Sequence, residues 1–368
     1  MKVRLGDVCD KASSSIIQKS LEGHEGKYPI YGASGLIKYV DFYQREKPYI
    51  AVVKDGAGIG RVMKLPAYSS VIGTMQYIIP NEKVDINYLV YSMEYMNLAK
   101  YFSGATIPHI YFRDYQKEPL NLPEIKVQKK IGGILSNIEK LIAFRNQELS
   151  KFDQLVKSRF IELFGDPVSN DKFWNLAILQ DVTSKIGSGA TPKGGKSSYQ
   201  KEGIPFIRSM NVHDGVFLSK DLAYLSDKQA KQLENVIVKE NDVLLNITGA
   251  SVARSCIVPK TVIPARVNQH VSIIRCIPKY LNPEFLNKLF LHHRYKNLLL
   301  PLGEAGGATR QAITKSQLEK LQIILPPLTL QNEFADFVQQ VDKSKLAVQK
   351  SLEKLEILKK SLMQQYFG

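Results

Sequence analysis

The run Gly56-Ala57-Gly58-Ile59-Gly60, directly after the apolar stretch Tyr49-Ile50-Ala51-Val52-Val53, is the nearest approach in this sequence to a nucleotide site. A dinucleotide-binding turn needs G-x-G-x-x-G opening a helix, so that the backbone can approach the pyrophosphate at the helix N-terminus. Here the third glycine comes one residue early, and Pro66 interrupts the stretch that would have to be that helix. A tight turn between strands is what remains. Lys193-Gly194-Gly195-Lys196-Ser197 holds the G-K-S of a phosphate-binding loop, but no glycine stands five residues before Gly195, so the loop that cradles phosphates is incomplete. Histidines 24, 109, 213, 270, 292 and 293 show no metal-ligand spacing, and the adjacent pair His292-His293 reads as a helix surface. Leu325-Pro326-Pro327-Leu328 has two prolines but neither the acidic or Asn residue before them nor the aromatic after them with which adenine methyltransferases grip a flipped base. Sequence separation alone assembles no Ser-His-Asp set and no carboxylate pair.

Composition narrows the classes further. The 368 residues exceed what one hydrophobic core usually organises, which predicts two or more domains. Fifty Lys and Arg against 35 Asp and Glu give a net charge of +15, a balance that suits a polyanionic partner, although a generally basic protein would show it too. Cys9, Cys256 and Cys276 are widely spaced, without a C-x-x-C pair, which suggests neither a disulfide framework nor zinc and fits a reducing compartment. The start, Met1-Lys2-Val3-Arg4, lacks the apolar core of a leader, and no run approaches the roughly 20 apolar residues of a membrane span. A cytoplasmic protein without membrane contact is the expectation.

The elements that must position any site come from an internal repeat. Leu122-Pro123 through Val127-Gln128 matches Leu325-Pro326 through Leu330-Gln331, and the same offset of 203 carries Phe164-Gly165 onto Phe367-Gly368 without a gap. Both copies lack proline after their entry and repeat apolar residues at spacings of three and four, the helical pattern. Leu135, Ile142, Leu149, Val156 and Leu163 form one heptad series; Phe334, Val341, Val348, Leu355 and Leu362 form the other. A run of roughly 38 residues is about 57 Å long, beyond ordinary core helices, which favours a coiled coil. Arg145 and Arg159 stand in the first copy where the second has Val348 and Leu362, charges that would weaken the seam or face a partner. The first helix ends, at Gly165-Asp166-Pro167, where the second globular segment begins, and the second helix begins where that segment ends, so the helices are expected to run antiparallel with the globular segments at opposite ends.

The globular segments share landmarks in order. Val3-Arg4-Leu5-Gly6-Asp7-Val8 parallels Ala177-Ile178-Leu179-Gln180-Asp181-Val182; the apolar run before Gly56 and Arg61 parallels Asp242-Val243-Leu244-Leu245 before Gly249 and Arg254; and Gly104-Ala105-Thr106 parallels Gly307-Ala308-Thr309. Short β-rich runs alternate with helices near Asn87 to Tyr101 and near Pro283 to Asn297. The predicted fold class is α+β, two mixed α/β domains separated by a long antiparallel two-helix coiled coil. The boundaries are residues 1–121, a first helix at 122–170, residues 171–324, and a second helix at 325–368. Net charge is about +3 for residues 1–121 and about +9 for residues 171–324.

Two variable segments, each followed by a helix opening L-P-x-x-x-x-Q, resemble the specificity subunit of type I restriction-modification enzymes over the full length. The phrases Gly187-Ser188-Gly189-Ala190-Thr191-Pro192, Ile204-Pro205-Phe206-Ile207-Arg208, Gly307-Ala308-Thr309-Arg310-Gln311 with Ile313, and Leu325-Pro326-Pro327 carry the resemblance by their order. It implies two target-recognition domains that each read half of a split sequence in double-stranded DNA, and helices that dock modification subunits and fix the gap. It also implies a chain that is not itself an enzyme and binds no cofactor or metal. S-adenosylmethionine would sit on two modification (methyltransferase) subunits, and ATP and Mg on restriction subunits.

Arg and Lys meet guanine bidentately, Asn and Gln meet adenine. On that ground Arg61, Gln76, His109 and Arg113 are the first domain's candidate base readers, with Tyr111 as an apolar or phosphate contact. Arg208, Asn211, Arg254, Asn268, Gln269, Arg310 and Gln311 are the second domain's. Lys193, Lys196 and Lys315 read as phosphate contacts, which position without specifying. A structural or solvated role competes at each position. A nucleic-acid-modifying enzyme acting alone, and a coiled-coil scaffold without DNA binding, are the competing functions.

Overall fold

The computed structural model describes residues 1–104, 108–304 and 312–368. They divide into two compact units, Met1–Glu148 with Val348–Gly368, and Leu149–Ala347. In chain order the first unit's strands are β1 (Lys2–Arg4), β2 (Cys9–Ser13), β3 (Tyr28–Gly32), β4 (Gly35–Val40), β5 (Tyr49–Val53), β6 (Val62–Leu65), β7 (Ser70–Val71), β8 (Met75–Pro80) and β9 (Pro119–Asn121). Four of them form an antiparallel sheet in the order β2-β8-β5-β6, three form β4-β3-β7 with β3 and β7 parallel, and β1 pairs with β9. Every residue of β5 is buried, because its continuous apolar run sits between neighbours on both edges and is covered on both faces. Helix α1 (Ile86–Tyr95) and the one-turn α2 (Phe112–Tyr115) complete the unit's α/β part.

The second unit repeats this plan. Its strands are β10 (Leu176–Ile178), β11 (Thr183–Ser188), β12 (Ile204–Ile207), β13 (Val212–His213), β14 (Val216–Phe217), β15 (Ala223–Leu225), β16 (Ile237–Val238), β17 (Val243–Asn246), β18 (Ser255–Ile257), β19 (Ala265–Val267), β20 (Val271–Cys276) and β21 (Gln322–Ile324). The sheet β11-β20-β17-β18 has the order of β2-β8-β5-β6, β17 is buried throughout like β5, and β10 pairs with β21 as β1 does with β9. In the sheet β15-β12-β19-β16, β12 and β19 are parallel as β3 and β7 are. The order of shared landmarks in the sequence is thus an order of equivalent strands.

The helices near 87–101 and 283–297 are each interrupted. Asn97 adopts a left-handed conformation (φ 51°) that ends α1, and a short 3-10 turn, Leu98–Tyr101, follows. His292 breaks the other into α5 (Pro283–Leu291) and α6 (His293–Glu304). Two further short helices are α4 (Asp227–Gln232) and α7 (Lys315–Glu319).

The repeated long helices are α3 (Ile125–Phe164) and α8 (Leu328–Phe367), each 40 residues. Inside the first unit Ile131 and Leu135 of α3 share a core with Leu362, Met363 and Phe367 of α8, and Lys359 pairs with Glu139. Inside the second, Phe160 and Phe164 of α3 meet Phe334 at ring-centroid distances of 5.6 and 5.3 Å, and Lys345 pairs with Asp153 at 2.6 Å. In each unit numbers rise on one helix as they fall on the other, so the pairing is antiparallel. All ten heptad residues named above are buried or half-buried. Arg159 does not disrupt the seam: its guanidinium reaches Glu333 across the pair at 2.7 Å and Glu162 on its own helix at 2.9 Å. Arg145 pairs with Glu148 one turn away, at 2.7 Å.

The glutamine of each L-P-x-x-x-x-Q opening is a latch. Gln128 is 1% exposed, accepts from Asp85 N–H at 2.9 Å, and donates to the carbonyls of Lys83 and Pro123 at 3.2 and 2.8 Å. Gln331 is 0% exposed and makes the same three bonds to Asn282 N–H, Tyr280 and Pro326 at 2.9, 3.2 and 2.8 Å. Asp85 and Asn282 are in turn the N-caps of α1 and α5. One buried amide thereby ties the start of each long helix to the start of a domain helix, with every polar atom satisfied.

Candidate nucleic-acid interface

In the first unit the turn after β5 carries three left-handed glycines, Gly56, Gly58 and Gly60. A Cβ on Gly60 would sit 2.4 Å from the Ala99 nitrogen, so a close approach as well as a turn requires glycine there. The turn is zipped to the segment before α2 by Gly56 N–H to the Pro108 carbonyl at 3.1 Å and Ile110 N–H to the Lys54 carbonyl at 3.0 Å. This brings four candidates to one edge. His109 hydrogen-bonds the Asp55 carboxylate through Nδ1, the Tyr111 ring packs at a tilt against His109 with centroids 4.1 Å apart, and the Arg113 guanidinium lies 4.6 Å over the Tyr111 ring. Arg61 closes the same turn and donates to the Ala33 carbonyl at 2.7 Å.

The second unit has the same frame with other side chains. Gly249 is left-handed after β17, Ile313 N–H donates to the Ile247 carbonyl at 2.8 Å, and Thr248 bridges to Ala312 as Asp55 does to His109. Ala312 is the 203-offset counterpart of His109. A second turn, Asn268-Gln269-His270, joins here through Ile247 N–H to the His270 carbonyl at 3.0 Å. Gln269 is exposed at its tip and accepts a hydrogen bond from the Thr191 hydroxyl; the Thr248 hydroxyl meets His270 Nδ1 at 2.6 Å. Lys193 and Lys196 are exposed on the loop that continues from Thr191, and Lys315 is exposed at the start of α7, 3.3 Å from Glu319. Arg254 is half-buried at the close of the turn after β17. Arg208, at the end of β12, turns its guanidinium to the Asp221 carbonyl and the Tyr199 ring. Arg310 and Gln311 lie outside the described residues.

Three candidates are not placed to read a base. Gln76, the second residue of β8, is 3% exposed and donates to the Tyr115 hydroxyl. Asn211 is fully buried, accepting from Arg208 N–H at 3.0 Å and donating to the Leu218 and Lys220 carbonyls. Asn268 is buried and accepts from His270 N–H at 3.1 Å. Their amides serve internal hydrogen bonds, and burial removes them from a groove edge. Strand position betrays the first, since β8 alternates between two covered faces; the other two sit at loop starts, where sequence does not separate a cap from a reader. Thr191, Thr248 and Asp55, which hold Gln269, His270 and His109, carried no signal beyond being polar residues beside glycine or proline.

His292 is not simply on a helix surface: its ring lies 5.8 Å from Phe160, and burial lowers its pKa. The Cys9, Cys256 and Cys276 thiols are buried, and that burial pushes each up to about 12. Among the described residues no group of three or more His, Cys, Asp and Glu is arranged to hold a metal ion, and no helix is long and apolar enough to cross a membrane.

A family model described as type I restriction modification DNA specificity domain matches residues 1–152 and 172–358. The type I restriction enzyme MjaVIII specificity subunit of Methanocaldococcus jannaschii is 23% identical over 98% of this chain and 90% of its own length. A putative type I specificity subunit of Mycoplasma pneumoniae is 24% identical over 90% of this chain and 86% of its own. Among solved structures, the S subunit of a type I restriction-modification system from M. genitalium superposes with a TM-score of 0.69 at 14% identity, covering 100% of this chain and 96% of that one. A chain from a type I restriction-modification structure on complex assembly gives a TM-score of 0.57 at 17% identity, covering 100% and 97%.

Proposed function

Because the chain belongs to the type I restriction-modification DNA specificity family, we propose that it reads a split sequence in double-stranded DNA, one half-site per target-recognition domain, and leaves the chemistry to its partners. Residues 1–121 and 171–324 are the recognition domains; residues 122–170 and 325–368 are the helical spacers. The observation that carries the reading is one backbone frame displayed twice with different side chains. Asp55 and His109 stand where Thr248 and Ala312 stand in the other unit. A shared frame sets the approach to a groove, and the side chains on it set which bases are accepted.

In the first domain Arg61, His109 and Arg113 read base edges, with Tyr111 packed between the last two. In the second, Gln269, Arg254, Arg208, Arg310 and Gln311 do so, while Lys193, Lys196 and Lys315 neutralise phosphates. Gln76, Asn211 and Asn268 serve the fold. Two modification subunits dock on the helices and supply S-adenosylmethionine-dependent methylation, restriction subunits supply ATP- and Mg-dependent translocation and cutting, and the assembly works in the cytoplasm. Support for docking comes from apolar side chains left in solvent on the helices, Phe144 at 59% and Ile357 at 68% exposure among them.

The test is methylation by the chain alone and with its modification subunits. Methylation of a split motif only in the presence of those subunits is expected. Robust methyl transfer by the homogeneous chain would make it an enzyme in its own right, and absence of salt-sensitive DNA retention by the assembled complex would leave only a scaffold.

A further inference from the structure

We propose that Thr191 is a specificity-positioning residue: its hydroxyl, fixed by a glycine-locked loop, holds the Gln269 amide in the orientation that accepts adenine at one position of the half-site read by residues 171–324. The inference rests on the DNA-reading function above and assigns a base and a positioning residue to it.

Gln269 and Thr191 are 78 residues apart in sequence, so their meeting is a property of the fold. The turn that carries Gln269 is held from several sides. Gly189 N–H donates to the Asn268 carbonyl at 3.1 Å, and Asn268 N–H to the Ile207 carbonyl at 3.0 Å. The Asn268 side chain accepts from His270 N–H at 3.1 Å, and the Thr248 hydroxyl fixes the His270 ring at 2.6 Å. The loop that leaves β11 at Gly189 lies so close to β19 that a Cβ on Gly189 would fall 1.6 Å from the Val267 carbonyl oxygen. Only glycine permits that approach, and the approach is what delivers Thr191 to Gln269.

The bond has a direction. Thr191 donates to Gln269 Oε1, which leaves that oxygen a second lone pair and leaves the Nε2 hydrogens out of the bond. Adenine in the major groove offers N6–H as donor beside N7 as acceptor, and an amide held with its oxygen and nitrogen side by side matches both. A freely turning glutamine presents either edge and must be ordered on binding, at a cost set by its rotamers. A threonine tether holds the amide in place and so lowers that cost, and in the bond as formed, from Oγ1 to Oε1, the Nε2 edge is left free. The unit-1 counterpart of this turn, Ile72-Gly73-Thr74 beside Lys54, has glycine in the place of Gln269, so the effect belongs to one half-site.

The experiment uses the full chain co-expressed with its modification subunits in a host free of competing methylation, with the methylated motif and its per-position preference read by sequencing. Wild type, Thr191→Ser, Thr191→Val and Gln269→Ala are compared, and the melting temperature of each purified chain is recorded. Gln269→Ala is expected to lose preference for one A·T pair by roughly five- to 150-fold. Thr191→Val is expected to lose about two- to tenfold at the same pair, Thr191→Ser to keep the wild-type motif, and all variants to keep the other half-site and the wild-type melting temperature. Overturning results are an unchanged preference in Thr191→Val, relaxation of a different position from that of Gln269→Ala, or an even loss at all positions with a lowered melting temperature. A wild-type complex that methylates no split motif would instead refute the DNA-reading function itself.

Discussion

Replacing Gln331 with Leu removes three hydrogen bonds while nearly preserving side-chain volume. The Asn282 N–H and the Tyr280 and Pro326 carbonyls lose partners at 2.9, 3.2 and 2.8 Å. The Pro326 bond is fully buried and the other two partly so, so water compensates the last two in part. At about 1 kcal/mol net for each bond, the expected loss is about 3 kcal/mol. For a unit of this size that corresponds to a fall in melting temperature of about 6 to 12 °C. The assay is thermal unfolding followed by fluorescence of Trp174, the chain's single tryptophan, which lies in the same unit. Gln331→Glu should be no milder, because it retains an acceptor for Asn282 N–H but sets a carboxylate against two carbonyls. A shift under about 2 °C for Gln331→Leu would refute the latch, since the lost bonds would then be worth less than about 1 kcal/mol in total.

Gln128→Leu is expected to destabilise its own unit by a similar amount, about 3 kcal/mol, measured by urea denaturation followed by circular dichroism. Thiol reagents at pH 8 should leave Cys9, Cys256 and Cys276 unlabelled in the folded chain, because burial holds each thiol up to about 12, and should label all three after unfolding; mass spectrometry counts the adducts. Inserting four residues in register into both α3 and α8 adds about 6 Å to each helix, close to two base pairs, and nearly preserves side-chain facing. If these helices set the gap between half-sites, the methylated motif gains about two spacer base pairs; a folded, active variant with an unchanged spacer would show that the partners set it.

Much of the frame was legible because it is repeated. Proline-free runs with three- and four-residue apolar spacing located α3 and α8, and the matched Gln128 and Gln331 marked their entries. What those glutamines do was not legible. A polar residue at a helix start shows its purpose only when Asp85 and Asn282, 43 and 49 residues away, fold against it. The same physics separated Gln76, Asn211 and Asn268 from Gln269. All four are amides near strand ends or in strands, and only burial distinguishes an amide that completes a loop from one that faces outward. Arg159 was legible as an anomaly in the heptad series and not as a solution, because Glu333, its partner across the pair, lies 174 residues away.

The central claim is that each recognition domain reads its own half-site, and exchange of residues 1–121 for the corresponding domain of another family member tests it most directly. The exchanged chain, assembled with its modification subunits in a methylation-free host, should methylate a motif in which one half is replaced and the other half, read by residues 171–324, is unchanged. If both halves changed together, or if neither did in an active complex, independent readout by the two domains would be wrong.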